Sequence, residues 1–140
     1  MHPRNADNID NLNRSAEYIK EVFVSSGARV TSQDVPIAGG PYKNIVADYG
    51  PADGPLIIIG AHYDSASSYE NDQLTYTPGA DDNASGVAGL LELARLLQQQ
   101  APKTGVQLVA YAPEEPPFFR SDEMGSAVHA ASLERPVRLM

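Results

Sequence analysis

Residues 56–59 read Leu-Ile-Ile-Ile, a short, uninterrupted apolar run that ends just before His62. Branched side chains without polar alternation are typical of a strand that is covered on both faces. Apolar residues then recur at helical spacing from Val87 to Leu97, and a second apolar run follows at 106–112. A strand, a helix and a strand in this order indicate an α/β protein with a partly parallel central sheet.

The N-terminal segments add a helix and a pair of strands. Apolar residues at steps of three and four predict an amphipathic helix from Ile9 to Phe23, and Gly27 is placed to end it. Strands are predicted at 29–37 and 42–49, separated by a turn rich in Gly and Pro. These elements complete a three-layer α/β sandwich with a mixed sheet.

The remaining predictions concern the connections and the C-terminal region. Ser85 or Asn83 is expected to cap the helix that includes Val87. The other predicted elements are a polar surface loop at 63–77, a loop carrying two glutamates at 113–122, a short helix at about 124–133 and the start of a strand at 137–140.

Composition excludes several classes of function. The 140 residues carry a net charge of −8, and their basic residues are scattered, which argues against binding to nucleic acid or to acidic membrane surfaces. No apolar run is long enough to span a bilayer. There are no cysteines, so a metal site would have to use His, Asp and Glu. The oligomeric state is left open.

His62 and Asp64 follow the first buried strand. Ligands of open α/β sheets collect beyond the carboxyl ends of strands, which favours a functional role for His62. Asp64 is placed to hold the imidazole ring from behind and fix its tautomer. Taken alone, this spacing arises by chance, and a structural histidine is the alternative.

The sequence Pro-Gly-Ala-Asp-Asp-Asn-Ala-Ser-Gly at 78–86 precedes the connecting helix. One interpretation is an acidic helix start, where carboxylates cap free N–H groups. A calcium loop of the EF-hand type is excluded, because it needs alternating acids. Gly79 and Gly86 indicate backbone packed closely against its surroundings, which would hold the Asp82 carboxylate firmly enough to serve as a ligand.

Glu114 and Glu115 follow the second buried strand. They could be two solvated acids of a loop. Adjacent side chains at a strand end point in different directions, so one could bind a metal while the other exchanges a proton with the attacking water. His62, Asp82 and this pair are expected to converge at one edge of the sheet.

In this order, the His-x-Asp, the nine-residue motif at 78–86 and the Glu-Glu resemble the zinc exopeptidases of the bacterial leucyl aminopeptidase type. Glutaminyl cyclases and glutamate carboxypeptidase relatives share that pattern. The resemblance extends from about Asn44 to Ala130, and the nine-residue motif is its most specific part.

The resemblance implies a role for each matching residue. His62 and Glu115 would each bind one of two zinc ions, and the Asp82 carboxylate would bridge the two ions. The peptide bond between Asp82 and Asn83 would be cis. Glu114 would be the general base, and Asp64 would orient His62. The implied reaction is removal of an N-terminal residue from a peptide or small substrate by a zinc-bound hydroxide.

Two departures modify this expectation. Residues 116–124 form a longer loop than is common in the family, which would alter the wall of the site and the substrate preference. A further carboxylate ligand from the strand at Val137 and a late His have no counterpart, and Asp122, Glu123 and His129 match no ligand position. Residues 1–140 are therefore expected to be the N-terminal portion of a catalytic domain, truncated at its C-terminus, with weak zinc binding and little activity.

Two alternatives are kept: a glutaminyl cyclase with a single zinc, and a non-catalytic domain of the same fold. The N-terminus lacks the apolar stretch of an export signal. The chain as it stands is therefore expected in the cytoplasm, with a secreted or periplasmic location if a signal precedes it.

Overall fold

A mixed sheet forms the centre of the protein, and the computed structural model describes residues 3–37, 40–70 and 73–140. The strands in these ranges are β1 (Arg29–Val35), β2 (Tyr42–Tyr49), β3 (Leu56–His62), β4 (Ser67–Glu70), β5 (Gln73–Tyr76), β6 (Gly105–Tyr111) and β7 (Val137–Leu139). The sheet has the order β1-β2-β6-β3-β7. β3 runs parallel to β6 and β7, whereas β2 is antiparallel to β1 and β6. The predicted mixed, partly parallel sheet is confirmed.

Helices cover both faces of this sheet: α1 (Ile9–Ser25), α2 (Ser85–Gln99) and α3 (Gly125–Ala131). On β6, Leu108 and Ala110 pack in the core formed with α1 and α2. Val109 and Tyr111 belong to a separate cluster on the other face, where the Tyr111 hydroxyl lies 3.1 Å from Nδ1 of His129 in α3. The alternation of side chains along β6 therefore separates two helix layers, and the three-layer sandwich is confirmed.

The start of α2 is set by the turn before it. Ser85 is the first residue of the helix, and its hydroxyl donates to the Asp81 carbonyl at 2.7 Å. Asn83 Oδ1 accepts a hydrogen bond from the Gly86 N–H at 3.0 Å. Of the two predicted capping residues, Asn83 is the one that satisfies a free N–H at the helix start.

The prediction of a surface loop at 63–77 is wrong in two respects. Tyr63, Asp64 and Ser65 are buried, and β4 pairs with β5 in a separate two-stranded hairpin. The segment is polar, and composition alone assigns such residues to solvent. In the folded chain their polar groups are satisfied by partners far away in the sequence.

β3 and β6 end side by side, with His62 opposite Tyr111 in the register. His62 is the last residue of β3. The segments that follow these two strands therefore meet at one edge of the sheet. Across the described ranges, none of the helices has the length and apolar character needed to cross a membrane.

Candidate metal centre

Three side chains that the sequence predicted as metal ligands meet at this edge. Donor atoms of His62, Asp82 and Glu115, one from each residue, all lie within 4.8 Å of one another. His62 ends β3, Glu115 follows β6, and Asp82 lies in the turn before α2. The connection between the two parallel strands therefore brings Asp82 to the edge of the sheet where His62 and Glu115 lie.

His62 lies between two carboxylates. Its Nδ1 is 3.2 Å from Oδ1 of Asp64, and its Nε2 is 2.8 Å from Oδ1 of Asp82. Asp64 is buried, whereas the Asp82 side chain is 77% exposed. Asp64 therefore holds the ring from the protein interior and leaves Nε2 facing the open side of the site.

The second oxygen of Asp64 organises the glutamate pair. Asp64 Oδ2 accepts hydrogen bonds from the backbone N–H groups of Glu114 at 2.8 Å and Glu115 at 3.0 Å. One buried carboxylate thus joins the end of β3 to the segment after β6.

The electrostatics of the site favour positive charge. Burial opposes the charge of His62, but its bonds to Asp64 and Asp82 and the surrounding negative charges raise its pKa from 6.5 to about 9. Burial, reinforced by the neighbouring carboxylates, raises the pKa values of Glu114 and Glu115 above the ordinary value. A cation bound here would relieve the repulsion among these acids.

Glu114 lies beside the donor cluster without belonging to it. Its Oε2 is 3.7 Å from His62 Nε2, and its side chain is 23% exposed. A carboxylate at this distance can reach a water molecule held between it and the donor atoms. The predicted separation of tasks between the two glutamates is consistent with this geometry.

The turn that carries Asp82 is packed closely, as its glycines predicted. Gly79 has a φ of 59°, and a Cβ at this position would lie 2.6 Å from Cβ of Ser65. A Cβ on Gly86 would overlap the Asn83 side chain. The Asp82–Asn83 peptide is cis, as the resemblance implied.

The other acids and the second candidate histidine lie elsewhere. His129 is buried against Tyr111, which is a packing role. Asp81, Asp122 and Glu123 are exposed, and none of them joins the donor cluster found among the described residues.

Sequence reasoning missed Arg4. Its guanidinium donates hydrogen bonds to the carbonyls of Tyr63, Pro78 and Gly79. These carbonyls lie next to His62 and shortly before Asp82, but no local pattern connects an N-terminal arginine with them.

Residues 44–136 match the family model described as Peptidase family M28. The chain belongs to this family. The M28 match covers every residue of the donor cluster and both strands that position it.

Two relatives of similar sequence are longer than this chain. Protein YfbL of Escherichia coli (strain K12) is 95% identical over all 140 residues, which span 43% of that protein. A probable zinc metalloprotease of Pyrenophora tritici-repentis (strain Pt-1C-BFP) is 38% identical over 76 residues, covering 54% of this chain and 18% of that protein. The chain thus spans less than half the length of these two relatives.

Two solved structures from Bacteroides thetaiotaomicron share the M28-like fold seen here. A glutaminyl cyclase, solved bound to N-acetylhistamine, superposes with a TM-score of 0.79 at 26% identity, covering 98% of this chain and 55% of that one. A leucine aminopeptidase precursor gives the same TM-score and identity, with 98% and 56% covered.

The donor set fits a zinc ion. An imidazole nitrogen and carboxylate oxygens are ligand types that zinc accepts, and catalytic zinc sites combine such protein ligands with a position left open for water or substrate. Two ligands of one tetrahedral zinc lie roughly 3.3 Å apart, close to the 2.8 Å between His62 Nε2 and Asp82 Oδ1.

Proposed function

We propose that the chain carries zinc-binding and proton-transferring residues of an M28 aminopeptidase. The observation that carries the proposal is the convergence of His62, Asp82 and Glu115 donor atoms within 4.8 Å. The probable zinc metalloprotease among the relatives favours zinc as the metal, and the leucine aminopeptidase precursor favours a substrate with a free N-terminus. The substrate class is a peptide or a small N-terminally free molecule.

Each residue has a separate task in this proposal. His62, Asp82 and Glu115 would hold the zinc, and in a site with two ions Asp82 would be the ligand that they share. When bound, zinc acts as a Lewis acid toward the substrate carbonyl and lowers the pKa of water. Glu114 takes the proton of the attacking water and delivers it to the leaving amine, and its raised pKa suits this exchange. Asp64 keeps the His62 ring oriented.

Metal titration tests the site directly. We expect purified chain to bind zinc or cobalt(II) in equilibrium dialysis, and Asp82→Ala to remove most of that binding. Glu114→Gln should leave the metal affinity within about threefold of that of the unmodified chain, because Glu114 is proposed to carry a proton and not to bind the metal. Exposed Glu123→Gln is the matched control. Unchanged binding in Asp82→Ala would refute the proposed metal centre.

Substrate assays separate aminopeptidase from the alternatives. Release of an N-terminal residue from an aminoacyl chromogenic substrate should be slow for residues 1–140 alone, and it should depend on metal and disappear in Glu114→Gln. Glutaminyl cyclase is the second candidate, because one such enzyme matches this chain with the same TM-score and identity as the aminopeptidase precursor. Cyclisation of an N-terminal glutamine peptide with one metal per chain would favour it. Metal binding with neither reaction would favour a non-catalytic domain.

A further inference from the structure

Arg4 connects two segments of the metal centre through both its backbone and its side chain. Its N–H donates to Ser65 Oγ at 3.1 Å, and its carbonyl accepts from the Ser65 N–H at 2.9 Å. The guanidinium donates to the carbonyls of Tyr63 at 2.9 Å, Pro78 at 3.1 Å and Gly79 at 2.9 Å. Arg4 therefore binds the chain just after β3 and the chain just before the turn that carries Asp82.

The carbonyl of Gly79 has two hydrogen-bond donors. Besides the Arg4 guanidinium, the N–H of Ala84 donates to it at 3.0 Å. The second of these bonds closes the backbone turn that contains Asp82 and Asn83. Because both bonds end on one oxygen, Arg4 holds the turn at the point where the turn closes on itself.

Asp82 needs such external support. Its carboxylate is 77% exposed, and the only hydrogen bond it makes within the described part of the chain is to His62. The position of this side chain is therefore set by the backbone of its turn. That backbone packs against buried Ser65, which lies three residues after His62.

We propose that Arg4 is a positioning residue of the metal centre. Its planar guanidinium fixes the Asp82 turn to the end of β3 and thereby sets the separation between Asp82 and His62. The role rests on the proposed function in one respect, that these two residues are metal ligands. Lysine cannot replace it fully, because one ammonium cannot reach three carbonyls with the fixed fork of a guanidinium.

Hydrogen exchange on the metal-free chain tests the positioning step. In Arg4→Met we expect amides at 79–86 to exchange about tenfold faster or more, because the loss of charged hydrogen bonds frees the turn. Amides of β6 should keep their rates. In Arg4→Lys the exchange rates at 79–86 should lie between those of the unmodified chain and those of Arg4→Met. Arg4→Lys also provides a second variant if Arg4→Met does not fold. Unchanged exchange at 79–86, or an equal rise in β6, would overturn the proposal.

Cobalt(II) absorption tests the consequence for the metal. We expect Arg4→Met to weaken cobalt binding about tenfold or more and to change the visible band, with partial recovery in Arg4→Lys. Arg14→Met is the matched control, because exposed Arg14 donates its side-chain hydrogen bond, among the described residues, to Asn11 of its own helix. Equal affinity and an identical band in Arg4→Met would refute the role toward the metal. Absence of cobalt binding in the unmodified chain would instead refute the proposed function, and the exchange rates would still decide the role of Arg4 in ordering the turn.

Discussion

Asp64 holds the other residues of the candidate site in position without facing its open side. One oxygen lies against His62 Nδ1, and the other accepts the N–H groups of Glu114 and Glu115. These partners belong to segments that follow different strands. A single buried carboxylate therefore fixes the histidine and the glutamate pair relative to each other.

Replacing Asp64 by Asn tests whether the hydrogen bonds of this side chain matter, because the substitution preserves its size and packing. The amide keeps the shape, but its NH₂ group cannot accept hydrogen bonds, so either the ring or the glutamate backbone loses its partner. We expect zinc or cobalt affinity to fall about 10- to 100-fold. Metal titration of the variant measures this change.

Asp34→Asn is the matched control, because Asp34 is exposed in β1. It should leave metal affinity unchanged. Circular dichroism should first show that Asp64→Asn keeps its secondary structure. Retention of full metal affinity in a folded Asp64→Asn variant would contradict the positioning role of this carboxylate.

Local sequence indicated the site residues that follow strand ends. His62 and Glu115 could be found because strand ends of a parallel pair meet at one edge, and Asp82 because it lies in a glycine-flanked acidic motif before the connecting helix. Arg4 could not be found this way. Its hydrogen-bond acceptors are backbone carbonyls, which every residue carries, so no side-chain pattern marks them.

At the scale of elements, a missing side chain on β3 makes room for a ring of β6. A Cβ added to Gly60 would overlap the Tyr111 ring. The hydroxyl of that ring lies 3.1 Å from His129 of α3. Close approach at Gly60 therefore contributes to the attachment of α3 to its face of the sheet.

Gly60→Ala should destabilise the fold by about 1–3 kcal/mol, because the added methyl group forces the Tyr111 ring from its place. Gly89→Ala is a control of opposite sign. Gly89 is exposed in α2 with nothing near an added Cβ, so the substitution should stabilise by about 0.4–1 kcal/mol. Urea unfolding measures both. A neutral Gly60→Ala would show that the ring moves aside freely.

The strands of the central sheet were more predictable than the β4–β5 hairpin. β2 was predicted with its observed bounds and β6 within one residue at each end, because apolar runs mark buried strands. β3 extends three residues beyond the predicted apolar run at 56–59 and includes His62, which was expected to follow the strand. β4 and β5 consist mainly of polar residues and pair only with each other. β5 alternates polar and apolar residues over only four positions, and β4 has a single apolar residue, so neither strand carries the longer pattern from which strands are recognised.

At the scale of the whole molecule, acidity and the metal centre are connected. The chain carries a net charge of −8, and four of its carboxylates lie at or beside the donor cluster: Asp64, Asp82, Glu114 and Glu115. Their mutual repulsion opposes folding at neutral pH unless positive charge is present. A bound dication therefore stabilises the folded state beyond what its ligand bonds contribute.

Zinc should therefore raise the melting temperature of the chain. At a free concentration about 100 times its Kd, a ligand of the folded state adds about 2.7 kcal/mol. Thermal unfolding followed by circular dichroism measures the shift, which should vanish in His62→Ala. An equal shift in His62→Ala would show that zinc binds the acidic surface generally and not the donor cluster.

The hydrogen bonds of Arg4 connect residues 59 to 75 positions apart in the chain. During synthesis, which begins at the N-terminus, Arg4 therefore leaves the ribosome long before its partners at 78 and 79. The β1–β2 pair, by contrast, can form as soon as residue 49 has emerged. The metal centre can thus be organised only after Glu115 has emerged, and we expect the ion to be acquired after that point of translation.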